Sequence, residues 1–235
     1  MTVPNQATPA ALLASLLAAL PAALPTTLSL TGNSATSGGY LYEAYLFAIV
    51  LRAARLQGYG VTLEDADGPA PALRLRGGPG RLPVPGPSGR RWTHAVLSCP
   101  ERPPLEAHTA VSVVGKSKVI HEADVLVIPQ SDAERCRNFD LDPRGSDAEL
   151  LMEAKYYTEA VGLDEGREFL GLISDVGAKN KMFVATLAGN SVVNLFSGQR
   201  PVIQHDIGVL PGRQGESSLL AIVERVMRNY RTSRR

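Results

Sequence analysis

The 235 residues contain only two cysteines, Cys99 and Cys136. So few rule out a disulfide scaffold, and both read as reduced, partly buried thiols of a cytoplasmic protein. A zinc site is excluded on similar grounds. His94, His108, His121 and His205 are scattered, with no Cys-x-x-Cys or His-x-x-x-His spacing. An excess of one charge is also missing: 24 basic against 23 acidic side chains leave +1, which excludes a strongly basic nucleic-acid coat. No apolar run is long enough to span a bilayer. The longest, AALLASLLAAL over residues 10–20, stops at Pro21, short of the roughly 20 residues a span needs. The first basic residue is Arg52, so the positively charged start of a signal peptide is lacking too. The expectation is a cytoplasmic chain with no membrane segment, no internal repeat, no zinc finger and no helix-turn-helix reader.

Hydrophobic residues make up 44% of the chain, enough for a core, and Gly (22) and Pro (17) are abundant. Residues 1–36 read as an Ala/Leu helix followed by a polar linker. The stripe of Leu12, Leu13, Leu16, Leu17 and Leu20 suits docking or dimerisation. Residues 37–235 read as one domain. A largely buried helix is expected over 40–58, capped by Ser37 and stopped at Gly58. Strands are expected at 60–66, 92–98, 105–114, 118–128, 149–157, 181–188 and 201–210. Helices are expected at 163–176, capped by Asp164, and at 215–231, with a short helix or turn at 190–197. Residues 68–91, half Gly or Pro, read as an insertion that is either a long surface loop or a hairpin, and 129–148 as a loop or insertion. The order predicts an α/β (α+β) fold, a mixed central sheet flanked by helices.

The chemistry sits on two of these strands. Alternation puts Glu122 and Asp124 on one face of 118–128, and Glu153 and Lys155 on one face of 149–157. Acids inside apolar runs are costly unless paired or bound to a metal. Two carboxylates plus the Ala154 carbonyl make an oxygen-rich set suited to Mg²⁺, with Mn²⁺ as substitute. Lys155 projects from the Glu153 face towards the same place. Of the five lysines only Lys155 has an acid two positions before it. A metal with a neighbouring lysine suits attack on a phosphodiester.

Asp124 followed by Glu153-Ala154-Lys155, on adjacent strands and before a helix, resembles the PD-(D/E)xK nuclease superfamily, the restriction-endonuclease-like fold. The resemblance spans about residues 37–210, with Ala123 where the motif has its proline. It implies a metal held by Asp124, Glu153, Ala154 and, from the helix before the sheet, Glu43. Asp124, Glu153, Lys155 and Glu43 would then be the catalytic set of a Mg²⁺-dependent nuclease acting on DNA, in defence or repair. The 81 residues between Glu43 and Asp124 require 68–91 to be an insertion.

Basic residues that could follow phosphates are Lys116 and Lys118, just before the Asp124 strand, and Arg225 and Arg228 near the C-terminus. A homodimer or a partner subunit could form through the N-terminal helix. Rival readings stay open: a catalytically inactive nuclease-like scaffold that binds nucleic acid or a partner protein, with Lys155 in a structural ion pair, or an enzyme of small nucleotide phosphodiesters with a closed pocket. His121 faces away from Asp124 and reads as a packed or hydrogen-bonded histidine.

Overall fold

A helix apolar on nearly every side must be covered all round, and that requirement organises the chain. The structure is a computed structural model describing residues 38–70, 72–85, 91–157, 159–200 and 203–233, and the backbone of 27–28. Helix α1 (Gly38–Leu56) is buried from Leu41 to Leu51 except at Glu43. One side packs on the sheet and another on the last helix. The chain leaves α1 through Gly58, whose φ of +82° suits glycine; its N–H donates to the Arg55 carbonyl. The expected Ala/Leu helix and the Ser37 cap lie outside the described residues.

Strands β2 (Gly60–Asp65) and β3 (Gly68–Pro69) follow. A short β1 (Thr27–Leu28) pairs in parallel with β4 (Ala72–Leu73). The main sheet then adds β5 (His94–Cys99), β6 (Arg102–Val114) and β7 (Ile120–Pro129). Helix α2 (Gln130–Asn138) leads to β8 (Leu150–Lys155), helix α3 (Leu163–Val176), β9 (Lys181–Ala185), helix α4 (Asn190–Ser197), β10 (His205–Ile207) and helix α5 (Gln214–Thr232). The sheet has eight strands in the order β10-β9-β8-β7-β6-β5-β2-β3. From β3 to β8 neighbours are antiparallel; β8, β9 and β10 are parallel.

This is the mixed sheet flanked by helices that the sequence predicts. Alternate residues of β9 show the two layers. Met182 and Val184 join the core beneath α1 and α5, while Phe183 and Ala185 join Phe169 of α3 and Phe196 of α4. Three expectations are corrected. Residues 130–138 of the expected loop form α2. Among the described positions 203–210 of the expected strand, β10 covers only His205–Ile207. The residue capping α3 is Gly162, with no side-chain cap, because Asp164 lies inside the first turn and pairs with Arg167 at 3.2 Å. Of the alternatives for the Gly/Pro-rich segment, its described part holds β3, β4 and a bridge from Gly80 to Val111. Among the described residues no helix is long and apolar enough to cross a membrane.

Candidate active site

The site forms where β7 and β8 part. Their ladder runs from Val127–Leu150 to Val125–Met152 and stops. At the next position the Asp124 side chain replaces the missing strand bond: the Ala154 N–H donates to its Oδ2 at 2.6 Å. A strand residue's N–H and C=O point to the same edge, so the Ala154 carbonyl also faces the β7 side. The Lys155 carbonyl faces the other way and accepts from the Thr186 N–H at 3.0 Å. Glu153 and Lys155 alternate with Met152 and Ala154, which pack towards the α1 core. Lys155 Nζ lies 2.7 Å from Glu153 Oε1.

Across β6 the ladder breaks at the same level. Thr109 pairs with Val125 and Val111 with Ala123, but Ala110, opposite Asp124, has a φ of +48°. Its carbonyl accepts instead from the Gly80 N–H at 3.2 Å and from Arg76 Nη1 at 3.3 Å. A side chain at Gly80 would meet that guanidinium, so glycine lets the two lie together. Arg76 comes from the Gly/Pro-rich segment and feels the charge of Glu122 on the neighbouring strand.

Glu43, Glu122, Asp124, Glu153 and Lys155 share one electrostatic environment. Burial pushes the Glu43 carboxyl well above the usual carboxylate range, and Asp124, Glu122 and Glu153 push it further. Asp124, only 9% exposed, is raised by burial and then by Glu153, against the Ala154 N–H and Lys155. Burial and Glu153 raise Glu122. Burial would discharge Lys155, but Glu153 and Asp124 outweigh it and hold the ammonium charged. Four acids therefore face one lysine, with Arg76 at the margin. Glu43 has no ion-pair partner among the described residues.

Hard oxygen donors in negative surplus suit a divalent cation. Asp124, Glu153, the Ala154 carbonyl and Glu43 are such donors, and their mutual repulsion is what a cation would relieve. In the conformations seen, Glu153 turns to Lys155 and Asp124 to Ala154. Among the described residues no three His, Cys, Asp or Glu side chains converge as a ready metal site.

The structure puts Lys155 on Glu153 and Asp124 on the Ala154 N–H of the neighbouring strand, and Glu43 and Glu122 lie within electrostatic reach of these groups. It does not bring all four basic residues there. Lys116 and Lys118 lie at the β6–β7 turn, beyond the Glu122 end of β7. That turn is fixed by Asp175 of α3, which accepts from the Ser117 N–H and hydroxyl and contacts His121 Nε2 at 2.8 Å. His121 is thus the hydrogen-bonded residue expected. Lys116 Nζ donates to the Ser174 carbonyl at 3.2 Å. Arg225 and Arg228 lie on α5, and Arg225 lines a cavity at the opposite end of β9.

A second polar cluster escaped the sequence reading. Glu106, fully buried on β6, takes both Arg137 amino groups from α2, and His108 Nε2 lies 2.9 Å from its Oε2. His94 stacks on His108 with ring centroids 5.0 Å apart. Burial would raise the Glu106 carboxyl, but hydrogen bonds with His108 and Arg137 hold it at about 2. The signal was available: Glu106 is an acid in the apolar run LEAHTAVSVV, the same anomaly that marked Asp124. Neither a family model, nor a curated protein, nor a solved structure matches this chain.

Proposed function

We propose that the chain is a divalent-metal-dependent nuclease of the restriction-endonuclease-like class, acting on DNA. One observation carries this reading: Asp124 and Glu153-Ala154-Lys155 flank the point where β7 and β8 separate, with Glu43 of the preceding helix in their field. The order of α1, the antiparallel strands, α3 and β9 agrees with that fold class.

In this reading Asp124, Glu153 and the Ala154 carbonyl would hold Mg²⁺, and Glu43 would complete the negative field. The bound cation would lower the pKa of a water molecule and neutralise charge on the scissile phosphate. Lys155, kept charged by Glu153 and Asp124, donates a hydrogen bond to the attacking water or to a phosphate oxygen. The Ala154 N–H fixes the Asp124 carboxylate, so the ligand waits in one orientation. Lys116 and Lys118 contact phosphates beyond the Glu122 end of β7.

A second reading has an observation of its own. Lys155 and Glu153 close on each other at 2.7 Å, as a structural ion pair in an inactive scaffold would. Cleavage of plasmid and single-stranded DNA with Mg²⁺ or Mn²⁺ separates the two. Metal-dependent cutting lost in both Lys155→Ala and Glu153→Ala is the expected result. No cutting by the unaltered protein, or equal cutting by all three, would refute the nuclease.

A further inference from the structure

Away from the carboxylates, α3, the start of β9, the segment that follows α4, and α5 enclose a half-open cavity of about 500 Å³. Its position follows from the sheet. Lys181 opens β9, and Ala185, the partner of Lys155, closes it. Four residues of strand separate the two ends by about 13 Å, so this cavity is distinct from the candidate active site.

The lining has an unusual composition for a chain of net charge +1. It contains Lys179, Lys181, Arg200 and Arg225, and no carboxylate. Two of these cations are committed elsewhere. Lys179 pairs with Glu149, and Arg200 donates to the carbonyls of Ser197 and Gln199. Lys181 and Arg225 have no ion-pair or hydrogen-bond partner among the described residues. Beside them stand an apolar wall, including Ile173 and Met182, and side-chain amides such as Asn229.

We infer that this cavity binds a free nucleotide, with the phosphates on Lys181 and Arg225 and the base against the apolar wall. Charged donors to phosphate are among the strong hydrogen bonds. An apolar wall and a few polar groups in a cavity of several hundred Å³ suit a small ligand. Lys181 and Arg225 line the cavity while Arg228, three residues further along α5, does not, so a ligand small enough to enter meets that pair. The inference does not depend on the nuclease reading.

The test is fluorescence anisotropy with N-methylanthraniloyl-ADP and, separately, a fluorescein-labelled oligothymidylate, both in EDTA so that no metal is bound. The expected result is saturable binding of the labelled ADP. A Lys181→Glu/Arg225→Glu protein should lose at least about tenfold in affinity, since two charge-assisted bonds are removed. Lys181→Arg/Arg225→Lys keeps both charges and should bind more tightly than the charge-reversed protein. Glu153→Gln should bind unchanged. Circular dichroism confirms that each variant is folded. The inference is overturned if the unaltered protein shows no saturable binding, if charge reversal leaves the affinity unchanged, or if only the oligonucleotide responds to it.

Discussion

Two clusters of buried charge lie in one sheet and are resolved in opposite ways. Around Glu106, one carboxylate receives a guanidinium and an imidazole, and its pKa falls to about 2. Around Asp124, four carboxylates share Lys155, and burial with mutual repulsion raises Glu43, Glu122 and Asp124. The chain can therefore neutralise a buried acid when architecture alone is at stake. Leaving the second cluster short of positive charge costs stability, and perturbed groups of this kind concentrate at functional sites. Under the proposed function, the surplus of acids at β7 and β8 is a feature of the site and the balanced cluster at β6 a feature of the framework.

Four changes would break or sharpen that contrast. The largest effect is expected from Lys155→Ala in the cleavage assay. Losing the lysine beside the reacting phosphate should cost about 10²–10³-fold in rate, in protein that circular dichroism shows to be folded; the urea midpoint should fall as well, because Glu153 loses its partner. A rate within a few-fold of the unaltered protein would remove Lys155 from the chemistry.

Glu106→Gln should act on stability instead. It leaves the Arg137 guanidinium without its buried partner, which should cost about 3 kcal/mol in urea unfolding. An unchanged midpoint would mean that the cluster contributes nothing to the framework.

Asp124→Asn keeps an oxygen for the Ala154 N–H and removes one of the repelling charges. Without metal, at pH 8, it should gain on the order of 1 kcal/mol while losing cleavage. A destabilised Asp124→Asn would show that the acids are already balanced.

The pH profile of stability, in EDTA, should separate the clusters by sign. A carboxyl raised in the folded state adds stability below its unfolded value of about 4 and loses it as the pH climbs through the folded value. Those values are about 8 for Asp124 and about 9 for Glu43. Stability should therefore fall from pH 5 to 9, and the fall should flatten in Asp124→Asn. Glu106 is depressed, so its contribution is present above about 4.3 and lost as the pH drops towards 2. In Glu106→Gln that acid-side loss should shrink. A slope from pH 5 to 9 that is the same with and without Asp124 would contradict the assignment.

How much of this was legible in the sequence depends on what each residue signals. Helix α3 begins and ends where its apolar period does, at 163–176, because Phe169 and Ile173 must reach the core. Helix α2 left no such trace: QSDAERCRN buries only Ala133 and Cys136. Asp124, Glu153 and Lys155 stood out as charges within apolar runs, and Glu43 as the acid in a buried helix. Arg76 could not be found that way. It sits in a segment half Gly and Pro, where no period tells which side chain turns inward, and its role depends on a backbone turn at Ala110. Glu106 carried the same signal as Asp124 and needed its partner from α2, a helix the pattern did not reveal.

The most direct test of the central claim is the thermal midpoint at pH 7.5 with increasing Mn²⁺, comparing the unaltered protein with Asp124→Asn. A cation that binds only the folded chain must raise its midpoint. The expected result is a saturable rise in the unaltered protein that is absent from Asp124→Asn, whose midpoint without metal is the higher of the two. Equal responses to Mn²⁺ in both proteins, or none in either, would contradict the claim that the acids at β7 and β8 await a divalent cation.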